Sequence, residues 1–221
     1  MNNAASDIPS SRQAGSHDLV VPALALLAWS GVLLQLWLSL SRNKSLAEGM
    51  LIYLSFFTVL TNIFVTLTLS LPLLAPQSRL GRFFASGQTM ACAATSIALV
   101  ALAYHFLLSH VWNPQGLQWL ADVLLHYLTP ASYCAYWLFA APKRNLPWWS
   151  PLTWCLYPIA YFAYLLLRGA VLGSYPYYFI DVATLGYARS LLNACALLLG
   201  FVLVGWLFLA LVTMIGRYRA Q

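Results

Sequence analysis

Long apolar runs alternate with short polar breaks along most of this chain. A helix needs about 20 mainly apolar residues to cross the bilayer core. Six stretches meet that requirement: residues 19–40, 50–74, 86–109, 119–140, 148–171 and 187–215. The breaks between them carry groups that lipid does not tolerate. Residues 41–49 hold Arg42, Lys44 and Glu48, residues 75–85 hold Arg79 and Arg82, and residues 141–147 hold Lys143 and Arg144. Residues 110–118 and 172–186 are the other two breaks. The pattern predicts an all-α fold, a polytopic membrane protein built as one bundle of six transmembrane helices over residues 19–215. A polar tail of residues 1–18, read as disordered, precedes it, and a short tail of residues 216–221 follows. The first run is too long for the apolar stretch of a cleaved signal peptide and reads as a span.

Composition agrees with this pattern. Of 221 residues, 62% are hydrophobic and 7% charged, with a mean hydropathy of +0.75. Soluble domains carry about 25% charged residues. That contrast excludes an ordinary soluble enzyme, a disordered chain and a disulfide-stapled secreted module. The net charge of +6 is spread in short pairs between apolar runs, which is no footprint for nucleic acid. With six spans, Arg12, Arg79, Arg82, Lys143, Arg144, Arg217 and Arg219 share one side, against Arg42 and Lys44 on the other. The positive-inside bias then predicts that both termini are cytoplasmic in a cell (inner) membrane. Cys92, Cys134, Cys155 and Cys195 sit singly in the last four spans, with no metal-type spacing, and read as packing residues. No metal and no cofactor is expected from this set.

Ionisable side chains at membrane depth are costly, so they are where function is sought. Counting along regular helices places Thr58 about 12 Å and His126 about 10 Å below the outer face. His105, Asp122, Arg168, Asp181 and Arg189 fall near that same face. Helical periodicity groups Ser55, Thr58, Thr61 and Asn62 on the second span and Asp122, His126, Thr129 and Tyr133 on the fourth. It also groups Tyr157, Tyr161, Tyr164 and Arg168 on the fifth, and Arg189, Asn193, Ala196 and Gly200 on the sixth. On the third, Ala91, Ala94, Ala98 and Ala101 form a small-residue face that permits close helix approach. These stripes are expected to share one interior, open toward the outer leaflet. Arg168 and Asp181 are expected to pair, anchoring an aromatic lid made of Tyr175, Pro176, Tyr177 and Phe179.

The runs Tyr53-Leu54-Ser55-Phe56-Phe57-Thr58-Val59-Leu60-Thr61-Asn62, Leu124-Leu125-His126-Tyr127-Leu128-Thr129-Pro130 and Tyr175-Pro176-Tyr177-Tyr178-Phe179-Ile180-Asp181 resemble a bacterial family of six-span integral membrane proteins. That family is distantly similar to the androgen-induced and androgen-dependent TFPI-regulating membrane proteins. Those are multi-pass hydrolases of fatty acid esters of hydroxy fatty acids that use an intramembrane threonine and histidine. The resemblance covers the chain from about residue 19 onward. It implies that the histidine is His126 and the threonine Thr58, with Thr61 one turn on as the competitor.

Two functions follow as expectations. The first is an intramembrane esterase acting on lipid (fatty acyl) esters. Its nucleophile is Thr58, its general base is His126 and Asp122 orients the imidazole, a logic that recurs on unrelated folds. Asn62, Thr61, His105, Arg168, Arg189 and Asp181 are the candidates for substrate binding or oxyanion stabilisation. No G-x-S-x-G elbow is present, which excludes an α/β-hydrolase. Its partners are membrane lipids and the ester substrate, and the oligomeric state is open. The alternative is a small multi-pass transporter or metal- or ion-binding protein without catalysis, drawing on His105, His110, His126, Asp122, Glu48 and Asp181.

Overall fold

The computed structural model describes residues 14–143 and 146–219, and every regular element among them is helical. In chain order these are α1 (Ala14–Arg42), α2 (Leu46–Tyr53), α3 (Phe57–Leu74), α4 (Arg79–Phe84), α5 (Gly87–Ala103), α6 (Leu117–Val123), α7 (Thr129–Phe139), α8 (Ser150–Trp154), α9 (Leu156–Leu172) and α10 (Val182–Arg219). A π-turn, Tyr104–Leu108, extends α5, and a second, Leu124–Leu128, joins α6 to α7. Residues 1–13, Arg144, Asn145 and the last two residues lie outside the described set. The expectation for the N-terminal tail and the charges of Arg12 and Arg144 therefore fall outside it. Helix α1 begins at Ala14, ahead of the expected Leu19, and α10 runs past the expected end at 215.

Among the described residues, five helices are long and apolar enough to cross a membrane: Leu19–Arg42, Phe57–Leu74, Gly87–Leu108, Ser150–Leu172 and Val182–Arg217. The remaining expected span corresponds to α6, the π-turn and α7, a continuous helical path from Leu117 to Phe139. Gln118, Asp122, His126, Thr129 and Pro130 make it too polar to count with the others. Many large apolar side chains face outward, among them Leu26 at 72% exposure and Leu167 at 71%. Such an apolar exterior is stable in lipid and not in water. The chain is a multi-pass membrane protein of packed helices.

The second expected span departs from a single helix. Helix α2 ends at Tyr53, residues 54–56 turn, and α3 starts afresh at Phe57. Ser55 therefore does not continue the face of Thr58, and Thr58 is the second residue of its helix rather than a residue eight positions inside one. Tertiary bonds hold this break open: the Tyr53 hydroxyl donates to Val32 O at 2.9 Å, and the Tyr161 hydroxyl donates to Ser55 O at 2.8 Å. The last helix is also interrupted, at Gly186 (φ 73°, ψ 164°), a conformation that costs glycine little. Serines cap the starts of α2, α4 and α5: Ser45 accepts from Glu48 N, Ser78 from Gly81 N and Ser86 from Thr89 N.

Helix α5 lies at the centre, packed on α3, α7 and α10. Its small face is what lets the neighbours approach: Ala91, Ala93 and Ala94 are all fully buried. Tyr133, Trp137 and Phe201 pack around it and, with its own Ile97, close the core. The Tyr133 hydroxyl is bonded to Thr68 at 2.8 Å inside this core.

Candidate functional site

Both π-turns lie at the same end of the bundle, on α5 and between α6 and α7, and they meet. Each widens its helix by one residue per turn, a feature frequent at functional sites. In the second, the Thr129 N–H bonds to Leu124 O, five residues back. The next residue, Pro130, has no N–H to offer. Leu125 O is thereby left without a helical donor, and the Asn62 side chain supplies one at 3.1 Å. In the first π-turn, the Ser109 N–H bonds to Tyr104 O at 2.8 Å, and the Ser109 hydroxyl donates to His105 O at 2.6 Å.

This geometry brings Tyr104 and His126 face to face. Their rings stack with centroids 3.9 Å apart and an interplanar angle of 19°. The Tyr104 hydroxyl donates to Asp122 Oδ2 at 2.5 Å. The other carboxylate oxygen, Oδ1, lies 3.3 Å from His126 Nδ1, which is also 3.1 Å from the Asp122 carbonyl oxygen. Both neighbours of Nδ1 are acceptors, so Nδ1 carries a proton and points it at Asp122. Asp122 is buried and the His126 side chain is 13% exposed. Tyr104 is the member of this group that the sequence pattern did not single out.

Asp122, His126 and Thr58 line one cavity of about 420 Å³, together with Gln35, Gln118 and Trp112. Gln118 Nε2 donates to Gln35 Oε1 at 2.9 Å, and Arg42 donates to Gln118 Oε1 at 2.6 Å, giving this cavity a polar wall. A second cavity of about 260 Å³ is lined almost wholly by apolar side chains of α5, α9 and α10. The two share four residues: Thr58, Tyr104, Leu108 and Tyr177. Thr58 thus stands where a polar arm and an apolar arm join.

Above it lies the loop from Gly173 to Asp181. Burial raises the Tyr177 hydroxyl above the ordinary tyrosine value, and the Thr58 hydroxyl with the Thr58 and Phe57 N–H groups acts against that shift. These contacts set the Tyr177 oxygen over the first turn of α3. The loop is pinned by Tyr178, which donates to Leu107 O at 3.1 Å, and by Asn193, which donates to Phe179 O at 2.6 Å.

Several expected partners are placed elsewhere. Arg168 does not pair with Asp181: its Nε donates to Ser55 Oγ at 2.6 Å and its Nη1 to Ser174 O at 2.5 Å. Asp181 instead caps α10, accepting from Ala183 N at 2.9 Å. The Arg168 bond to Ser174 O still ties the loop to α9, by a different partner from the one expected. Thr61 is fully buried, bonded to the Tyr157 hydroxyl at 3.1 Å, and lines neither cavity. The Asn62 amide spends its two N–H groups on Thr58 O and Leu125 O, so neither is free for an oxyanion. His105 is exposed, 3.5 Å from the Tyr127 hydroxyl, and Arg189 is exposed on α10. Thr129 and Tyr133 are buried but outside both cavities, because the π-turn rotates them off the face that carries Asp122 and His126.

Among the described residues no three His, Cys, Asp or Glu side chains come close enough to hold a metal ion. No family model matches the chain, and no curated protein and no solved structure is significantly similar to it.

Proposed function

We propose that this chain is a six-span intramembrane hydrolase of lipid (fatty acyl) esters, with Thr58 as nucleophile and His126 as general base. The observation that carries the reading is the convergence of Thr58, His126 and Asp122 on one cavity, with His126 Nδ1 committed to Asp122. The resemblance of the Thr58 and His126 segments to a threonine- and histidine-dependent hydrolase family supports it.

In the reaction, Thr58 Oγ attacks the ester carbonyl carbon while His126 Nε2 takes its proton. The tetrahedral intermediate collapses, the C–O bond to the alcohol breaks, and His126 returns the proton to the leaving alkoxide. Water then attacks the acyl-threonine, again with His126 as base, and releases the acid. Asp122 holds the imidazole in the required tautomer and stabilises the imidazolium. Tyr104 positions both, by its bond to Asp122 and its stack on His126. The oxyanion is met by the first-turn N–H groups of α3 beside Thr58, aided by the partial positive charge of that helix end. The Tyr177 hydroxyl covers these groups in this structure, so substrate entry displaces it.

The path from Leu117 to Phe139 is helical and long enough to serve as the sixth span. An even number of spans puts both termini on one side, and the Lys/Arg bias makes that side the cytoplasm of a cell (inner) membrane. The site then faces the outer leaflet.

The test uses purified full-length protein, a fluorophosphonate probe and a panel of fatty acyl esters. Thr58→Ala and His126→Ala each abolish labelling and turnover, whereas Tyr104→Phe lowers turnover by roughly tenfold or more with binding retained. Full activity in both alanine variants overturns the proposal, and activity lost only in Thr61→Ala moves the nucleophile to Thr61.

A further inference from the structure

The hydrogen bonds along the wall of the polar arm all run in one direction. Gln35 and Arg42 lie seven residues apart on α1, on one face of the helix, and Gln118 meets them from the start of α6. Arg42 has only N–H donors, so the Gln118 atom it meets at 2.6 Å is the amide oxygen. The Gln118 nitrogen is then the atom turned to Gln35, and it donates to Gln35 Oε1 at 2.9 Å. The chain ends on the Gln35 NH2 group, to which no acceptor is bonded among the described residues. Gln35 and Gln118 both line the cavity, and Asp122 is the only carboxylate that does. Both oxygens of Asp122 already face protein groups, Tyr104 at Oδ2 and His126 at Oδ1. What the Gln35 end of the arm offers a ligand is therefore donors and not acceptors.

We propose that Gln35 is the specificity-determining residue of the polar arm. It selects ligands whose polar half carries hydrogen-bond-accepting oxygens close to the ester (an ether, a second ester or a phosphate) and rejects ammonium groups. This rests on the hydrolase reading for the position of the ester, whereas the direction of the amide chain stands without it. A glutamine alone can turn its amide by half a turn and present either oxygen or NH2. The Arg42 guanidinium cannot turn donor into acceptor, so it fixes Gln118, and Gln118 fixes Gln35. Arg42 and Gln118 are positioning residues, and only Gln35 meets the ligand. The charge on Arg42 also polarises both amides in the same sense, which strengthens the N–H groups at the end of the chain. An ammonium group in the arm would face those N–H groups and find the Asp122 oxygens already occupied.

The experiment has two independent readouts on the full chain. First, kcat/KM is measured for octanoate esters of four alcohols of similar length: 1-butanol, 2-methoxyethanol, 2-hydroxyethyl phosphate and 2-(dimethylamino)ethanol, the last protonated at neutral pH. The methoxyethyl and phosphoethyl esters exceed the butyl ester by about threefold to tenfold, the net worth of a hydrogen bond, and the ammonium ester falls below it. Gln35→Leu removes these differences. Gln35→Glu still accepts from Gln118 but presents an oxygen to the cavity, and it puts the ammonium ester first, a reversal that simple destabilisation does not produce. Gln118→Leu releases the Gln35 amide and narrows the preference. Second, Thr58→Ala protein is mixed with decyl phosphate and N,N-dimethyldecylamine, and the retained ligand is identified by native mass spectrometry. Decyl phosphate is retained in preference, and adding Gln35→Glu reverses the choice. An order of esters that Gln35→Leu and Gln35→Glu both leave unchanged overturns the role of Gln35. A ligand preference reversed by Gln35→Glu, with no ester turned over by the wild type, overturns the hydrolase reading and leaves the donor wall standing.

Discussion

The link between Pro130 and Asn62 makes the sharpest test of how the site is built. Asn62→Leu keeps the side-chain volume and removes two amide bonds, at 2.8 Å to Thr58 O and 3.1 Å to Leu125 O. Thr58 O is the i−4 carbonyl of the same helix and keeps its backbone donor. Leu125 O has no other donor, so the cost concentrates there. A buried carbonyl left unpaired costs about 1–3 kcal/mol, while inter-helix bonds in membranes average about 0.6 and reach about 1.7 kcal/mol. The Asn62 Oδ1 atom is buried without a partner, so its removal offsets part of the loss. The net expectation is about 1 kcal/mol of destabilisation. In a Pro130→Ala background residue 130 regains an N–H five positions after Leu125, which can serve the same carbonyl. Asn62→Leu then costs close to nothing, and the two substitutions couple by about 1 kcal/mol. The assay is reversible unfolding in mixed micelles, followed by tryptophan fluorescence, on wild type, both singles and the double. Additivity within about 0.3 kcal/mol refutes the reasoning.

Two further predictions concern the loop over the site. A Cβ on Gly169 would lie 2.1 Å from the Tyr175 ring, so Gly169→Ala unseats Tyr175 and speeds proteolysis between residues 173 and 181 while the bundle keeps its melting temperature; an unchanged cleavage rate counts against the seat. Arg168→Gln loses bonds to Ser55 and Ser174 and destabilises by about 1–3 kcal/mol, whereas Asp181→Asn keeps a good cap and costs only a few tenths. The double variant is additive in thermal unfolding, and a coupling above about 1 kcal/mol shows an ion pair after all.

The helical, membrane-embedded architecture was legible because span length and apolar content are properties of a stretch of chain taken alone. Half of the small face of α5 was legible for the same reason: Ala91 and Ala94 are fully buried, whereas Ala98 and Ala101 are only half-buried and Ala93 joins the packing instead. What was not legible depended on departures from regular helix geometry. The break at residues 54–56 carries no proline or glycine, and it is held by the Tyr53 bond to Val32 and the Tyr161 bond to Ser55, contacts 21 and 106 residues apart in sequence. A stripe drawn through Ser55 and Thr58 could not register it. The π-turns misled in another way. Each adds a residue to its turn, which rotates everything beyond it by roughly 100°. That is why Tyr133 lies beyond the second turn, off the face of Asp122 and His126, and meets Thr68 in the core.

One signal was present. Pro130, four residues after His126, removes an N–H from the ladder and demands an answer from some neighbouring polar group, and Asn62 is that answer. The segment from Leu117 to Phe139 shows why site and span obscure each other in a sequence. Gln118, Asp122, His126 and Pro130 lower its apolar content below that of the five clear spans, and Gln118, Asp122 and His126 line the polar cavity while Pro130 shapes the turn that carries His126. Polar side chains are tolerated at membrane depth where they face a cavity or one another. The expected span with the least apolar content is therefore the one that brings Asp122 and His126 to the polar cavity, and its polarity is the trace of that cavity.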